Sequence, residues 1–328
     1  MSQVPSEVAE GIAGPSLGAG EAKKVVGRSP GQIFWARFRQ DKLALLGLGF
    51  VGVLAILALG AGFITENFAH DPNDISMQLE QTNSFGNPRG PNSEFWWGAD
   101  ANGRDVFARV IHGTRTSLLI AVVATLISVA VGVFLGIVAG YFGGALDTFI
   151  SRVIDLVLSV PLLFFAVGLA AVCGSTKQGC LGGFVEPGKN LVIMIVALFS
   201  WPYIARIVRG NTLSIREKEF VEAGRAMGAG NRRIMFREIL PNLVAPIIVY
   251  ATLIIPNNII FEASLSFLGV GVPDEIPSWG SMLEDAAGVF ESAWWLLLFP
   301  GLFLLFTVLS FNLLGDGLRD ALDPKQAR

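Results

Sequence analysis

The residues that could carry chemistry are few in this sequence of 328 residues. The only histidines are His70 and His112, and the only cysteines are Cys173 and Cys180. This small supply of imidazole and thiolate ligands disfavours a zinc site and a metal enzyme. Both histidines lie in predicted loops or at the ends of apolar runs, so no buried serine has an obvious general base for an intramembrane hydrolase.

Two short stretches approach known ligand-binding loops but depart from them. Residues 183–190 nearly match G-x-x-x-x-G-K-[ST], but Asn190 supplies no hydroxyl for magnesium and no strand precedes the loop. Asp100, Asn102 and Asp105 surround a glycine as calcium ligands might, but their spacing is not that of the twelve-residue calcium loop. The first stretch is not expected to bind phosphate, and the second favours a hydrogen-bonded turn.

The two cysteines have two interpretations. Cys173 and Cys180 are separated by six residues, in a loop that the predicted topology places outside the membrane. An oxidising compartment would permit a disulfide there. Alternatively, Cys173 is a small apolar residue at a helix end.

The composition indicates that a membrane must position these residues. Hydrophobic residues make up 52% of the chain and charged residues only 16%, and the mean hydropathy is +0.57. Uncharged runs longer than about 18 residues in such a chain are typical of transmembrane helices. The formal net charge of -3 disfavours binding to nucleic acid. We therefore predict an all-α membrane protein.

Six spans are predicted from the uncharged runs. They cover about residues 43–64, 117–146, 148–172, 191–208, 243–270 and 293–314. In the second span, glycines recur every four residues, on one helix face where another backbone can approach closely. They are Gly132, Gly136, Gly140 and Gly144.

Lysine and arginine counts predict the orientation. With the N-terminus inside, the inner segments hold 18 of these residues and the outer segments 6. The sequence thus predicts a multi-pass plasma-membrane protein with both termini in the cytoplasm. The predicted organisation has five segments. Residues 1–30 form a disordered cytoplasmic tail, 31–64 an interfacial helix and the first span, 65–116 an external loop, 117–315 a five-span core and 316–328 a cytoplasmic tail. The core includes a cytoplasmic loop, residues 211–242.

The fifth span carries polar residues that suggest a transport path or gate. Asn257, Asn258 and Glu262 lie in or beside its apolar run. A charge at the bilayer centre costs roughly 2.5–3.5 kcal/mol on insertion scales, so Glu262 is not expected to face lipid. One hypothesis is that Pro256, Asn257 and Asn258 break the helix where it lines the path, and that Glu262 sits at an outer gate, paired with a basic residue of this chain or of a partner chain. The other is that the helix ends early and leaves Glu262 solvated near the headgroups.

The cytoplasmic loop has the pattern of a helix–turn–helix that meets a partner. Gly228 and Gly230 end a first helix, Asn231 can cap a second, and Pro241 is expected to stop it. Small residues beside the turn would let a partner's surface come close. Ile234 and its apolar neighbours could anchor in a groove of that partner.

This loop resembles the E-A-A-x-x-x-G…L-P signature of the permease subunits of ABC importers. The residues at the signature positions are Glu222, Ala223, Gly224, Gly228, Leu240 and Pro241. Gly224 replaces the last alanine, and Glu238 stands where the signature has isoleucine. The resemblance implies that the loop docks on an ATP-hydrolysing subunit and transmits its movement.

Further motifs resemble the dipeptide and oligopeptide permeases of the DppC/OppC type. They are residues 97–106 with 113–118, 262–269, 277–280 and 312–320. This resemblance covers roughly residues 30–325 and implies a type I importer permease with six spans.

The resemblance implies an importer for di- or oligopeptides, with a nickel chelate as an alternative cargo. The implied partners are a homologous DppB/OppB-type permease, two ABC ATPase subunits and an external solute-binding protein. It also implies no catalytic residues and no cofactor in this chain, because the ATPases bind ATP and magnesium. A secondary transporter driven by an ion gradient is the alternative from another class, but the sequence shows no clear internal repeat.

Overall fold

The computed structural model describes residues 29–75, 87–174 and 188–323, which contain helices and an isolated β-bridge between Ala99 and Asp105. The helices in chain order are α1 (Pro30–Phe38), α2 (Lys42–Phe68), α3 (Val106–Phe142), α4 (Gly144–Ser159), α5 (Leu162–Gly174), α6 (Lys189–Arg216), α7 (Glu219–Ala226), α8 (Asn231–Arg233), α9 (Leu240–Phe267), α10 (Trp279–Ala287) and α11 (Trp295–Leu322). A π-helical segment, Ile234–Ile239, joins α8 to α9.

Five continuous helices are long and apolar enough to cross a membrane: α2, α3, α6, the run Asn231–Phe267 and α11. The predicted third span is instead the pair α4 and α5, which meet at an angle of 82°. Pro161 lies in the break, where it disfavours the helical conformation of the residue before it. The described residues therefore give six spans if the bent pair counts as one.

Several helices extend beyond the predicted spans. Helix α3 begins at Val106, inside the segment predicted as an external loop, and α11 continues to Leu322, inside the predicted tail. The side chain of Asp105 starts α3 by accepting hydrogen bonds from the backbone amides of its first turn, including that of Phe107 at 2.9 Å. The predicted spans stopped at the first charged residue, but the helices continue past it, so these charged residues lie in helix ends beyond the apolar runs.

Helix α3 is the centre of the fold and packs closely along α6. A Cβ atom added at Gly132 would lie 2.8 Å from the Trp201 carbonyl oxygen, and one at Gly136 would lie 2.7 Å from that of Ala205. Gly140 meets Thr212 in the same way. The predicted glycine stripe is the contact with α6 at these three positions.

Gly144, the fourth glycine of the predicted stripe, lies elsewhere. Helix α3 ends at Phe142, and Gly143 and Gly144 turn the chain into α4 with φ of +67° and +59°. An added Cβ at Gly144 would meet nothing within 4 Å, so this glycine serves the turn and not the helix packing.

Candidate functional site

The cytoplasmic loop of the sequence prediction is a helix–turn–helix at the end of the bundle. Helix α7 ends at Ala226, and Gly228 turns the chain with φ of +80°. The amide of Gly228 donates to the Arg225 carbonyl at 2.9 Å, and that of Ala229 donates to the Gly224 carbonyl at 3.0 Å. These bonds close the turn as in a helix C-cap.

Two local expectations about this loop are wrong. Asn231 does not cap the second helix; it lies in its first turn, and its Oδ1 accepts a hydrogen bond from the Tyr141 hydroxyl at 2.9 Å. Pro241 does not stop the helix, because the π-helical segment Ile234–Ile239 leads directly into α9. Pro241 is the second residue of α9, directly after that segment.

The inner face of the loop belongs to the core of this chain. Val221, Ile234, Ile239 and Leu243 are fully buried and pack against apolar side chains of α3 and α6. Ile234, predicted to anchor in a partner's groove, is therefore buried against side chains of this chain and is not available to a partner. It holds the loop against the bundle.

The outer face of the loop is open. Glu222, Ala223, Ala226 and Gly228 are exposed, and the exposed fraction of Met227 is 80%. Gly224 is buried, although an added Cβ would meet nothing within 4 Å. Of the remaining predicted positions, Leu240 is half-buried and Pro241 is exposed.

A second cluster surrounds Glu262 in α9. Its side chain is fully buried, and the hydroxyls of Ser117 and Ser266 each donate to one of its carboxyl oxygens at 3.0 Å. Each serine oxygen also accepts a backbone amide hydrogen, from Trp279 at 3.3 Å and from Val272 at 3.2 Å. Glu262 thus ties α3, α9 and the start of α10 together.

Both hypotheses for Glu262 are wrong in this structure. Helix α9 continues through Pro256 to Phe267, so Glu262 is neither at a helix break nor at a solvated end. Among the described residues, its carboxyl pairs with serine hydroxyls and with no basic group. The glutamate tolerates burial because its acceptors are satisfied within the chain.

The two asparagines of the predicted path are in different environments. Asn258 is buried, donates to Thr125 at 2.8 Å and accepts from Ser200 at 2.7 Å, which links α9 to α3 and α6. Asn257 is exposed, and its amide donates to the Leu253 carbonyl of its own helix at 3.1 Å. Of the predicted path residues, only Asn257 is open to a partner or a cargo.

We expect Glu262→Gln to destabilise the protein by about 1–3 kcal/mol, the cost of an unsatisfied buried polar group. The two serine hydroxyls donate to the two carboxyl oxygens of Glu262, but a glutamine has one acceptor oxygen, so the hydroxyl hydrogen of one serine would lose its acceptor. Thermal unfolding of the purified protein measures the change. Ser264→Ala is the control, because that hydroxyl bonds only a carbonyl of its own helix. Equal melting temperatures for Glu262→Gln and the wild type would contradict this role.

A third cluster, which the sequence analysis missed, joins two loops at the same end as the start of α3. Arg104 Nε lies 2.6 Å from Asp100 Oδ2, and Arg104 Nη1 lies 2.7 Å from Asp274 Oδ2. The buried Arg109 Nη2 lies 2.6 Å from Asp274 Oδ1. Asp285 of α10 lies 3.6 Å from Arg104.

The predicted hydrogen-bonded turn is part of this cluster. Asp100 Oδ1 accepts the amides of Asn102 and Arg104 at 2.8 and 2.9 Å, and Asp105 caps α3. These carboxylates already have partners within the chain. Among the described residues, no group of three or more acidic, histidine or cysteine side chains is arranged to hold a metal ion.

The charges of the cluster shift its carboxyl groups in opposite directions. Burial alone would raise the pKa of Asp274, but hydrogen bonds and charges from Arg104 and Arg109 lower it. Burial and the neighbouring charge of Asp274 raise the pKa of Asp285 to about 6. Asp285 therefore takes up a proton in the folded protein at a pH where the unfolded chain remains ionised.

We expect this proton uptake to make the folded protein more stable at about pH 5 than at about pH 7.5, by on the order of 1 kcal/mol. The folded pKa of Asp285 is raised, so its contribution is present at low pH and is lost as pH rises through about 6. In Asp285→Asn the difference should shrink by that amount, as measured by thermal unfolding at both pH values. Glu284→Gln, an exposed neighbour on α10, should keep it. An Asp285→Asn protein with the wild-type pH dependence would contradict the assignment.

The structure describes one of the two cysteines. Cys173 is fully buried near the end of α5. Cys180 lies outside the described residues, so the disulfide between them stays a prediction.

Comparisons with known proteins identify relatives that match nearly the whole chain. Residues 132–328 match the family described as binding-protein-dependent transport system inner membrane component. Residues 29–85 match the N-terminal transmembrane domain of oligopeptide transport permease C. The chain is 41% identical over 298 residues to the glutathione transport system permease protein of Shigella sonnei, covering 91% of each chain. It is 38% identical over 297 residues to the dipeptide transport system permease protein of Alkalihalophilus pseudofirmus, covering 90% of each.

A solved structure supports the fold independently. The methionine ABC transporter MetNI, in an inward-facing conformation, contains a chain that superimposes with a TM-score of 0.52 and 20% identity. The match covers 66% of this chain and 96% of that one. The shared fold is that of type I ABC importer permeases, as the sequence resemblance implied.

Proposed function

The chain belongs to the binding-protein-dependent transport system inner membrane components, the permeases of ABC importers, and we propose that it imports di- or oligopeptides. The observation that carries the cargo class is the match of both chain halves to peptide-type permeases: the N-terminal domain to oligopeptide permease C and nearly the whole chain to dipeptide and glutathione permeases. Glutathione is itself a short peptide, so both relatives name one class of cargo.

The proposed complex contains four kinds of subunit. This chain forms the translocation path with a homologous permease of the DppB/OppB type, and two ABC ATPases and an external solute-binding protein complete the importer. The ATPases bind and hydrolyse ATP with magnesium, and this chain carries out no covalent chemistry. The predicted gate at Glu262 is not part of the proposal, because that carboxyl is enclosed within the chain.

The proposed contact with an ATPase is the exposed face of α7 and its turn, which we call the coupling surface: Glu222, Ala223, Ala226, Met227 and Gly228. Its small side chains let a partner approach closely, while Val221 and Ile234 fix the loop to the bundle. Movement of the ATPases would therefore reach α6 and α9 directly. The spans of the two permeases then rock as rigid bodies, so that the translocation path between them opens outward and inward in turn.

The function is tested by purification and uptake. The chain, expressed with its neighbouring permease and carrying an affinity tag, should bring ATPase subunits through purification. Liposomes containing this complex, ATP inside and the binding protein outside should accumulate labelled alanyl-alanine. Uptake that follows an ion gradient without ATP would favour a secondary transporter and contradict the proposal.

We propose that both termini lie in the cytoplasm, on the basis of the unequal distribution of lysine and arginine. In a variant with Cys173 and Cys180 replaced by serine, Glu275→Cys should react with an impermeant maleimide added outside intact cells. Ser214→Cys, in the last turns of α6, should react only after the membrane is opened. The reverse labelling pattern would overturn the orientation. Ser84, another position in the predicted external segment, lies outside the described residues.

A further inference from the structure

A cavity of about 750 Å³ lies where the end of α2 meets the beginnings of α3 and α6. Thr65 and Glu66 of α2 line it from one side, and His112 and Arg115 of α3 line it from another. The loop before α10 and the first residue of α6, Lys189, complete the wall. In the proposed orientation this cavity opens at the outer end of the bundle, and its volume is in the range of small-molecule sites.

The charged side chains of this cavity differ from those of the ion-pair cluster described above. Arg115 and Lys189 are exposed, and within the described ranges neither forms an ion pair or a hydrogen bond. The carboxylates of Glu66 and Glu275 are equally unpaired there. A third acid of the wall, Asp71, accepts the backbone amide of Asn73 at 2.8 Å. The cavity wall therefore carries two cations and three anions, with no ion pair between them among the described residues.

The contrast with Arg104 and Arg109 makes this arrangement informative. Those two arginines, at the same end of the bundle, have aspartate partners at 2.6–2.7 Å. The fold can thus pair its external arginines closely, yet it leaves Arg115 and Lys189 directed to a cavity. Unpaired charges of both signs around one cavity are complementary to a ligand with both signs of charge.

We propose that this cavity binds the free ends of a short peptide: Arg115 and Lys189 hold the terminal carboxylate, and Glu66 and Glu275 hold the terminal ammonium. This inference rests on the proposed peptide cargo and locates a binding site for it on this chain. An arginine guanidinium matches the two oxygens of a carboxylate in a forked hydrogen bond, and carboxylates accept the hydrogens of an ammonium. Thr65 and His112 add two polar groups to the same wall, with Thr65 Oγ1 3.1 Å from His112 Nε2.

The test measures protection of a cysteine by peptide in the assembled importer. Leu119 lines the cavity and carries no polar group, so Leu119→Cys, with Cys173 and Cys180 replaced by serine, places a reactive thiol there. The rate of maleimide labelling of this thiol is measured at increasing alanyl-alanine concentration. Right-side-out and inverted vesicles present opposite faces of the membrane to the reagent, and vanadate stops the ATPase cycle, so each condition is tested with and without it. The comparison peptides are alanyl-alanine amide, which lacks the carboxylate, and N-acetyl-alanyl-alanine, which lacks the ammonium. Glu291→Cys, on the external segment after α10 and outside the cavity, is the labelling control.

We expect alanyl-alanine to slow labelling of Leu119→Cys but not of Glu291→Cys, and each capped peptide to need at least about ten-fold higher concentration. Arg115→Gln should raise the concentration needed for alanyl-alanine by about ten-fold and leave that for the amide nearly unchanged. Glu66→Gln should raise the peptide concentration needed for protection by a similar factor, but only for peptides with a free ammonium.

Two results would overturn the site. One is equal protection by free and capped peptides, and the other is an unchanged response in both Arg115→Gln and Glu66→Gln. Failure of the site is distinguishable from failure of the proposed function, because uptake of alanyl-alanine by the same complex is measured in parallel. Uptake without protection removes the cavity site and leaves the importer of peptides, whereas loss of ATP-dependent uptake in the wild type removes the peptide cargo itself.

Discussion

Replacing Gly136 with valine should lower the melting temperature of the permease and the amount of it that folds in the membrane. The first carbon of the new side chain would lie 2.7 Å from the Ala205 carbonyl oxygen and 2.8 Å from Val208 Cβ, well inside van der Waals contact. The obstruction on the α6 side includes backbone, so no rotamer change relieves it. Helix α3 cannot shift along α6 either, because Gly132 and Gly140 meet that helix equally closely one turn away.

The expected cost is a substantial fraction of the stability of a folded protein. Overpacking of a well-packed core costs about 1–3 kcal/mol and more where backbones must separate, and total stabilities are about 5–15 kcal/mol. Gel filtration of a fluorescent fusion in mild detergent measures the folded fraction. Gly210→Val is the matched control, because it makes the same change on α6 where an added Cβ meets nothing within 4 Å. A normal elution peak and melting temperature for Gly136→Val would show that the α3–α6 contact is looser than described.

The success of the glycine prediction has a local cause. A period of four places residues on one helix face regardless of the rest of the fold, so Gly132, Gly136 and Gly140 could be grouped from spacing alone. Gly144 has the same spacing but follows the end of α3, and the sequence pattern did not mark that end.

The predictions that Pro241 and Pro256 break or end a helix were wrong for a related reason. A proline ends a helix only where nothing compensates its missing amide hydrogen, and here α9 continues through both.

The polar clusters were beyond sequence reasoning because their members are far apart in the chain. Ser117 and Glu262 are separated by 145 residues, and Arg109 and Asp274 by 165. Each residue considered alone had an ordinary interpretation: a serine at a helix start or an acidic residue in a loop. Burial of Glu262 was anticipated only as a cost that some partner must offset. The serines that offset it became visible only with the packing of α3, α9 and α10.

The helix–turn–helix of the cytoplasmic loop was predictable because it lies within about 20 consecutive residues, where helix ends and a turn glycine fix the geometry. Its role as a coupling surface stays a proposal.

We expect Ala226→Trp to reduce ATP-dependent uptake below about one-tenth of the wild-type rate, while the permease still inserts and pairs with its partner permease. Ala226 is exposed at the end of α7, so an indole there would hold the ATPase several ångström away without disturbing the inner packing of Val221. Glu222→Lys, which reverses an exposed charge on the same face, should act in the same direction.

The choice of position matters for this test. Gly228→Trp would also place a large side chain beside the surface, but Gly228 has φ of +80°, where a tryptophan strains the turn itself. A loss of uptake there would not separate a misfolded turn from a blocked contact. Ala226 lies in regular helix, so its replacement tests the contact alone.

The matched control is Ala145→Trp, the same substitution at an exposed site on α4 at the same end of the bundle but outside the coupling surface. Uptake by Ala145→Trp should stay close to that of the wild type, and the amount of ATPase that co-purifies should fall only in Ala226→Trp. Reduced uptake with undiminished ATPase would place the defect in transmission of movement and not in docking. Normal uptake and normal ATPase recovery in both Ala226→Trp and Glu222→Lys would remove this surface from the mechanism, and the contact with the ATPases would then have to lie on another part of the cytoplasmic end.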